Sequence, residues 1–286
     1  MKFASTSFRS MSLLVGAILT ALPGLAAAEW GLNLTRGATP YSRTVYDLHM
    51  LILWICVVIG VIVFGLMFYS IFAFRKSTGA RPAQWHESTK VEVAWTVVPF
   101  MILVAMAVPA TKALIMMEDV GASDMTIKVT GYQWKWHYQY VDDGIAFFST
   151  LSQDSNVARG LKSGIDPTTV DNYLLSVDHH LVVPINRKIR FLTTAGDVIH
   201  SWWVPALGWK RDAIPGYINE SWALIDEPGI YRGQCAELCG KDHGFMPIVI
   251  EALSEADYAA WAAKMKAGEQ QAATPPEQTP AVAARD

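Results

Sequence analysis

The stretch Cys235-Ala-Glu-Leu-Cys239-Gly-Lys-Asp-His243-Gly-Phe-Met246 contains two thiols, an imidazole and a thioether within twelve residues. Sulfur atoms are soft metal ligands and imidazole is a borderline one, a mixture that suits copper far better than calcium or magnesium. A site that transfers electrons through one copper ion needs two His, one Cys and a weak axial Met. The missing imidazole is available from His200, in an earlier segment of strand-like composition. The stretch therefore predicts a copper-binding loop between two strands of a β domain.

Cys235 is one thiol more than a single copper ion requires. Two copper ions could share the sulfurs of Cys235 and Cys239, each completed by one His and by either the Met246 sulfur or the backbone oxygen of Glu237. When two ions share one electron, the charge at each ion changes less than it would at a single ion. The bond lengths therefore change less, and a smaller reorganisation opposes electron transfer. A disulfide is the simplest alternative for two Cys four residues apart in an oxidising compartment, but the number of matching donors favours the metal site.

Composition indicates a membrane protein. Among the 286 residues 52% are apolar and only 17% are charged. The net charge of -3 gives no reason to expect a nucleic-acid partner. The third cysteine, Cys56, lies in an apolar run and is interpreted as a buried thiol without a chemical role.

Two apolar runs, at residues 48–74 and 93–115, are long enough to cross a hydrocarbon core of ~30 Å. The connection between them is basic, and cytoplasmic loops are rich in Lys and Arg. A transmembrane helical hairpin is therefore predicted within residues 29–120, with the remainder of the chain in the periplasm. The basic residues are Arg75, Lys76, Arg81 and Lys90.

Residues 1–28 predict a secretory signal peptide. Lys2 and Arg9 precede an apolar centre, and Ala26-Ala27-Ala28 is typical of a cleavage site.

Residues 121–266 indicate an all-β domain. Short segments rich in aromatic and β-branched residues alternate with Gly, Pro and Asp turns, which is typical of a small sandwich or barrel. A short helix is expected after Ser254, and residues 267–286 are expected to be a disordered tail. The strand candidates are Thr126–Tyr140, Leu181–Thr194, Ile199–Pro205, Ser221–Ile225 and Phe245–Glu251.

From about Tyr46 to Trp261 the chain resembles subunit II of the heme-copper cytochrome c oxidases. The metal-binding stretch resembles that family's copper loop, with every ligand position filled. Asp197-Val-Ile-His-Ser-Trp202, Asp212-Ala-Ile-Pro-Gly216 and Gly131-Tyr-Gln-Trp-Lys-Trp136 are further points of similarity. The resemblance implies a two-helix transmembrane hairpin that carries a cupredoxin-like Greek-key sandwich in the periplasm of a bacterial inner membrane.

The resemblance also implies a function. The subunit would accept electrons from reduced cytochrome c at a dinuclear copper centre and pass them to heme a in subunit I. Oxygen would there be reduced to water, coupled to proton translocation. Subunit I, subunit III, cytochrome c and the lipid bilayer are the implied partners. The chain has no intramembrane His set and no Cys-x-x-Cys-His motif, so the heme groups are expected in other subunits.

Further residues acquire roles by the same resemblance. Trp134 would be the point of electron entry, and Asp142, Asp143 and Asp178 would help cytochrome c to dock, although Gln139 stands where an acidic residue is common.

Two glutamates also match positions of known importance in the family. The Glu237 carboxylate would bind a magnesium ion shared with subunit I, which suits a hard oxygen donor. Glu92 would lie at the entrance of a proton channel, although a charged residue at the membrane boundary is also ordinary.

Three alternatives remain for comparison. A quinol oxidase subunit of the same fold would lack the copper ligands. A thiol-disulfide or copper-delivery protein would not need Met246 and Glu237 at their spacings, and nitrous oxide reductase carries a similar loop without the helical hairpin.

Overall fold

Two long helices form the N-terminal part of the computed structural model, which describes residues 33–79, 81, 84 and 86–273. Helix α1 spans Pro40–Ala73 and helix α2 spans Thr89–Glu118. At about 1.5 Å per residue they are roughly 50 and 45 Å long, more than the ~30 Å of a hydrocarbon core. Most of their large apolar side chains are exposed. The helices correspond to the predicted spans 48–74 and 93–115: α1 is extended by eight residues at its periplasmic start, and α2 by four residues at its cytoplasmic start and three at its periplasmic end.

The periplasmic ends of both helices hold the β domain. Arg43, in the first turns of α1, forms an ion pair with Asp226 of the β domain. At the other helix, the indole nitrogen Nε1 of Trp222 donates a hydrogen bond of 3.0 Å to the carbonyl oxygen of Met116. These contacts join both helices to the β domain.

Ten strands form two sheets in the described part of the β domain. The first sheet contains Met125–Tyr132 (β1), Lys135–Tyr140 (β2), Ile145–Ser149 (β3), Lys188–Ala195 (β5) and Asn219–Leu224 (β8). The second contains Leu181–Pro184 (β4), His200–Val204 (β6), Trp209–Ala213 (β7), Gly229–Cys235 (β9) and Pro247–Leu253 (β10). Their orders are β3-β2-β1-β5-β8 and β4-β10-β9-β6-β7. The pairs β1–β5 and β4–β10 are parallel, and the other pairs are antiparallel.

The two sheets enclose an aromatic core. Along β5, buried and partly exposed residues alternate without exception, as expected for a strand with one face turned inward. Phe191 of this strand stacks on Trp202 at 5.2 Å between ring centroids, and Trp209 lies 5.3 Å from Trp202. Two apolar helices and a two-sheet β domain confirm the predicted fold class.

The individual strands were predicted less completely than the fold class. Thr126–Tyr140, treated as one segment, is a hairpin that turns at Gln133-Trp134. Strands β3, β7 and β9 lie where no strand is predicted. In β7 and β9, charged residues or glycines interrupt the apolar alternation on which the prediction depends, and β3 is only five residues long.

The ends of the chain differ from expectation or lie outside the described residues. Helix α4 spans Glu255–Ala273, so that it continues into the predicted tail 267–286, where Ala, Glu and Gln favour helix. A shorter helix, α3, spans Gln153–Ala158. The predicted signal peptide, residues 1–28, and residues 274–286 lie outside the described part.

Candidate metal centre

The predicted metal-binding stretch is a loop that leaves β9 at Cys235 and enters β10 after Met246. Its ends are joined because the Cys235 amide donates to the Met246 carbonyl at 3.1 Å. The Ala236 amide donates to the Ser201 carbonyl at 2.9 Å, which fixes the loop beside β6. His200 begins β6, so the sheet brings a residue 35 positions earlier to the loop.

The candidate donor atoms lie close together. The Cys235 Sγ is 3.9 Å from the His200 Nδ1, 3.9 Å from the Cys239 Sγ and 3.4 Å from the Glu237 carbonyl oxygen. The Cys239 Sγ is 3.5 Å from the His243 Nδ1. Ligand atoms of His200, Cys235 and Cys239 all lie within 4.8 Å of one another, and the three residues are buried.

These separations fit a metal site and not a disulfide. The two thiols are free, and their 3.9 Å separation is far longer than a sulfur–sulfur bond of about 2.05 Å. A metal–thiolate bond is about 2.3 Å, so one ion can bind two sulfurs that are this far apart. Because soft thiolates and imidazole favour copper, the group is consistent with a copper site.

Hydrogen bonds prepare the first thiol for metal binding. Burial opposes ionisation of Cys235, but its contacts with His200 and with the backbone of Glu237 and Ser201 outweigh burial and lower its pKa to about 7. Burial and the negative charge of Cys235 instead raise the pKa of Cys239. A metal ion binds thiolate, so binding must release the Cys239 proton.

Asp197 orients the upstream imidazole, a role that sequence reasoning missed. Its Oδ1 lies 2.9 Å from the His200 Nε2, which leaves Nδ1 facing Cys235. Burial opposes charging of His200, but these two contacts outweigh burial and raise its pKa. Metal-binding histidines commonly have a carboxylate hydrogen-bonded to the second ring nitrogen. In the sequence, the only sign of this role is that Asp197 precedes His200 by three residues.

Gly131 makes room for the same imidazole. A Cβ atom at this position would lie 2.8 Å from the His200 Cδ2 and 3.0 Å from its Cγ. Strand β1 can therefore pass the ring only because residue 131 has no side chain.

Trp134 lies in the β1–β2 turn against the metal-binding loop. Its Nε1 donates to the Cys239 carbonyl oxygen at 3.2 Å, and the side-chain Nε2 of Gln133 donates to the same oxygen at 2.9 Å. Gly240 allows this contact, since its φ is +117° and an added Cβ would lie 3.2 Å from the indole. The indole is partly exposed, so it connects the surface to a cysteine of the candidate site.

The three predicted docking aspartates are not grouped around Trp134. Asp178 accepts hydrogen bonds from the Thr150 amide and hydroxyl at 2.7 and 2.8 Å, and Thr150 follows the residue that pairs with Trp136. Asp142 and Asp143 follow β2, whose six residues separate them from Trp134 by about 20 Å. Of the three aspartates, Asp178 alone lies at the end of the sheet where Trp134 is found.

The carboxylates of Asp142 and Asp143 also have partners within the domain. Asp142 accepts the Thr126 amide at 2.8 Å. Asp143 accepts the Tyr258 hydroxyl and the Lys266 ammonium, each at 2.8 Å.

The remaining predicted residues have different surroundings. Met246 is buried in the core beneath the loop, whereas Glu237 is exposed on its surface. Glu92 lies in the first turn of α2, on the side of the basic connection, and its carboxylate accepts the Ser88 amide at 3.3 Å.

Comparison with known proteins agrees with this arrangement. A family model of the periplasmic domain of cytochrome c oxidase subunit II matches residues 125–253, and a model of the transmembrane domain of that subunit matches residues 27–113. The probable cytochrome c oxidase subunit 2 of Rickettsia prowazekii is 43% identical over 235 residues, which are 82% of this chain and 72% of that protein.

A subunit from another bacterium and a solved domain are also similar. The cytochrome c oxidase subunit 2 of Cereibacter sphaeroides is 36% identical over 248 residues, covering 83% of this chain and 81% of its own length. The solved periplasmic domain of subunit II of cytochrome oxidase from Bradyrhizobium japonicum is 42% identical, covering 52% of this chain and 98% of that one, with a TM-score of 0.46. This chain is a membrane protein with two spans and a periplasmic domain, part of a heme-copper oxidase complex, and it belongs to the cytochrome c oxidase subunit II family.

Proposed function

We propose that this subunit accepts single electrons from reduced cytochrome c and delivers them to heme a of subunit I through a dinuclear copper centre. The observation that carries the proposal is the buried group of His200, Cys235 and Cys239, whose thiols are free and 3.9 Å apart. When bound, the copper pair would supply a reversible one-electron carrier with small reorganisation. The residues that would hold it are His200, Cys235, Glu237 through its carbonyl oxygen, Cys239, His243 and Met246.

The polypeptide would keep the donor atoms in position for both oxidation states. Asp197 holds the ring of His200 and fixes which nitrogen faces the thiols. The main-chain bond between Cys235 and Met246 holds the two ends of the loop together. A centre held in this way changes little in geometry when its charge changes, which favours rapid electron transfer.

Electrons would enter through Trp134. Its indole is partly exposed and hydrogen-bonded to the carbonyl group of Cys239, so a short covalent path leads from that group to the sulfur. An indole has an extended π system and can be exposed on one side while it packs on the other. The bond from Trp134 to Cys239 supports this role over that of a purely structural Trp.

Cytochrome c would dock around Trp134. Asp178 is the predicted acidic residue on that side of the sheet, so it would act locally on a basic partner. Asp142 and Asp143, about 20 Å away, would contribute mainly to long-range attraction, which salt screens over ~8–10 Å.

Two glutamates would connect this chain to subunit I. The exposed carboxylate of Glu237 would bind a magnesium ion at the boundary with subunit I, and oxygen donors suit that ion. Glu92, at the cytoplasmic start of α2, would lie at the entrance of a proton channel. Subunit III would be a further partner of the complex.

The test is flash-initiated electron injection from bound cytochrome c, followed at the copper absorption band in the purified oxidase. Trp134→Gln should retain copper and cytochrome binding but transfer electrons much more slowly. Trp203→Gln, at another exposed Trp, is the matched control and should transfer normally.

The role of negative charge in docking is tested by a separate substitution. Asp178→Asn should weaken association, mostly at low salt, and leave transfer within the bound complex intact. Electron transfer at the wild-type rate in Trp134→Gln would show that electrons enter elsewhere.

A further inference from the structure

A long loop between β3 and β4, residues 150–180, contains helix α3 and is fixed at its base. Leu151 and Val177 form an isolated antiparallel bridge, and the Ser152 amide donates to the Ser176 carbonyl at 3.0 Å. From β9, Arg232 donates to the Leu175 carbonyl at 2.5 Å. These contacts join the two ends of the loop to each other and to β9.

Arg159, directly after α3, joins this long loop to the metal-binding loop. Its Nε donates to the Asn156 side-chain oxygen at 2.8 Å, which fixes the guanidinium plane from within the long loop. Its Nη1 donates to the Asp242 carboxylate at 3.2 Å. The central carbon of the guanidinium lies over the Phe245 ring, 4.3 Å from its centroid.

The two residues of the metal-binding loop that Arg159 contacts, Asp242 and Phe245, lie on either side of the candidate ligand His243. His243–Phe245 forms a single 3₁₀ turn that begins after Asp242, and the Phe245 amide donates to the Asp242 carbonyl at 2.9 Å. Contacts on both sides of the turn restrict its rotation. They thereby restrict the imidazole, whose Nδ1 is 3.5 Å from the Cys239 Sγ.

We infer that Arg159 is a positioning residue, through which the long loop holds His243 in place for copper. The inference rests on the proposed copper centre. Ordering a flexible ligand loop costs conformational entropy when the metal binds, and a loop that is already ordered binds more tightly. Residues that orient metal ligands typically contribute about 10–100-fold to metal affinity.

The planar guanidinium is required and not simply a positive charge. It donates a hydrogen bond to Asp242 from Nη1 and another to Asn156 from Nε while its central carbon lies over Phe245, and the single ammonium group of Lys cannot make all three contacts in the same geometry. Its side chain and that of Asp242 are 27% and 24% exposed, so the pair is less screened by water than most surface ion pairs.

The experiment measures copper release from the full chain in detergent after a strong chelator is added. Arg159→Ala should release copper about tenfold faster than wild type or more, with Arg159→Lys in between. Arg190→Ala is the control, because Arg190 also forms a surface ion pair, with Glu220, and lies in β5. It should release copper at the wild-type rate.

Two further readouts separate positioning from general destabilisation. The copper hyperfine pattern in electron spin resonance should change in Arg159→Ala and stay unchanged in Arg190→Ala. In the copper-free protein, backbone amides of residues 240–246 should exchange hydrogen faster in Arg159→Ala, while those of β5 should not.

Release at the wild-type rate with unchanged exchange in Arg159→Ala would overturn the inference while leaving the copper centre intact. A wild-type chain that binds no copper would instead refute the proposed function. If Arg159→Ala does not fold, Asp242→Ala and Phe245→Leu each remove one contact, and normal copper release from both would overturn the inference.

Discussion

Gly131→Ala should weaken copper binding by displacing His200, although residue 131 is not a ligand. The added Cβ would lie 2.8 Å from the imidazole Cδ2, whereas carbon atoms in contact are usually at least about 3.5 Å apart. The ring must therefore move by roughly 0.7 Å, or strand β1 must move away from it. Metal–ligand distances tolerate deviations of only about 0.2 Å, so the displaced ring no longer fits the site. We expect copper affinity to fall on the order of 10–100-fold, as for other losses of ligand orientation.

The assay is a copper titration of the full chain against a competing chelator, with thermal unfolding measured in parallel. Overpacking of this kind also destabilises proteins by about 1–3 kcal/mol, so the melting temperature of the copper-free protein should fall. Gly268→Ala is the control, because nothing lies within 4 Å of its added Cβ and Ala favours helix. Wild-type copper affinity in Gly131→Ala would refute the reasoning, since it would mean that β1 moves and the ring does not.

Two further predictions concern stability. Trp202→Ala removes the fully buried centre of the aromatic core and should destabilise the β domain by about 3–5 kcal/mol in chemical denaturation; a loss near that of a surface substitution would contradict the stacking. Asp143→Asn should weaken the attachment of α4, because the hydrogen bond from Lys266 lowers the pKa of Asp143 in the folded state despite partial burial. A carboxyl group whose pKa is lower in the folded state stabilises the fold at pH values above its unfolded-state pKa, which is near 3.8. This stabilisation is lost as the pH falls through the folded-state pKa. The stability difference between wild type and Asp143→Asn should therefore be present at neutral pH and disappear in acid; a difference that grows in acid would contradict the assignment.

The parts that could be predicted from the sequence are those with local patterns. The spacing of Cys235, Cys239 and His243 within one loop predicts a metal site because all three are close in the chain. The two spans are equally visible, since a membrane requires long uninterrupted apolar segments. His200 was found only because the chemistry required one more imidazole.

What could not be predicted depends on contacts between distant segments. Gly131 contacts His200 across the space between the two sheets, and no local pattern in the sequence predicts that contact. Asp197 bonds to His200 through its side chain, and only the three-residue spacing hints at this. Arg159 reaches Asp242 across 83 positions, in a loop whose composition suggests no role. The separation of Asp142 from Trp134 could not be predicted either, because it depends on the direction of β2 within the hairpin.

The central claim is that Cys235 and Cys239 together hold two copper ions. The most direct measurement is the copper content of the purified full chain, together with its visible and electron spin resonance spectra, for wild type and Cys235→Ser. The wild-type chain should contain two copper ions and show a purple colour with hyperfine splitting from both nuclei, while Cys235→Ser should contain one copper ion or none. A copper-free wild-type chain with a disulfide, or an unchanged two-copper spectrum in Cys235→Ser, would contradict the account.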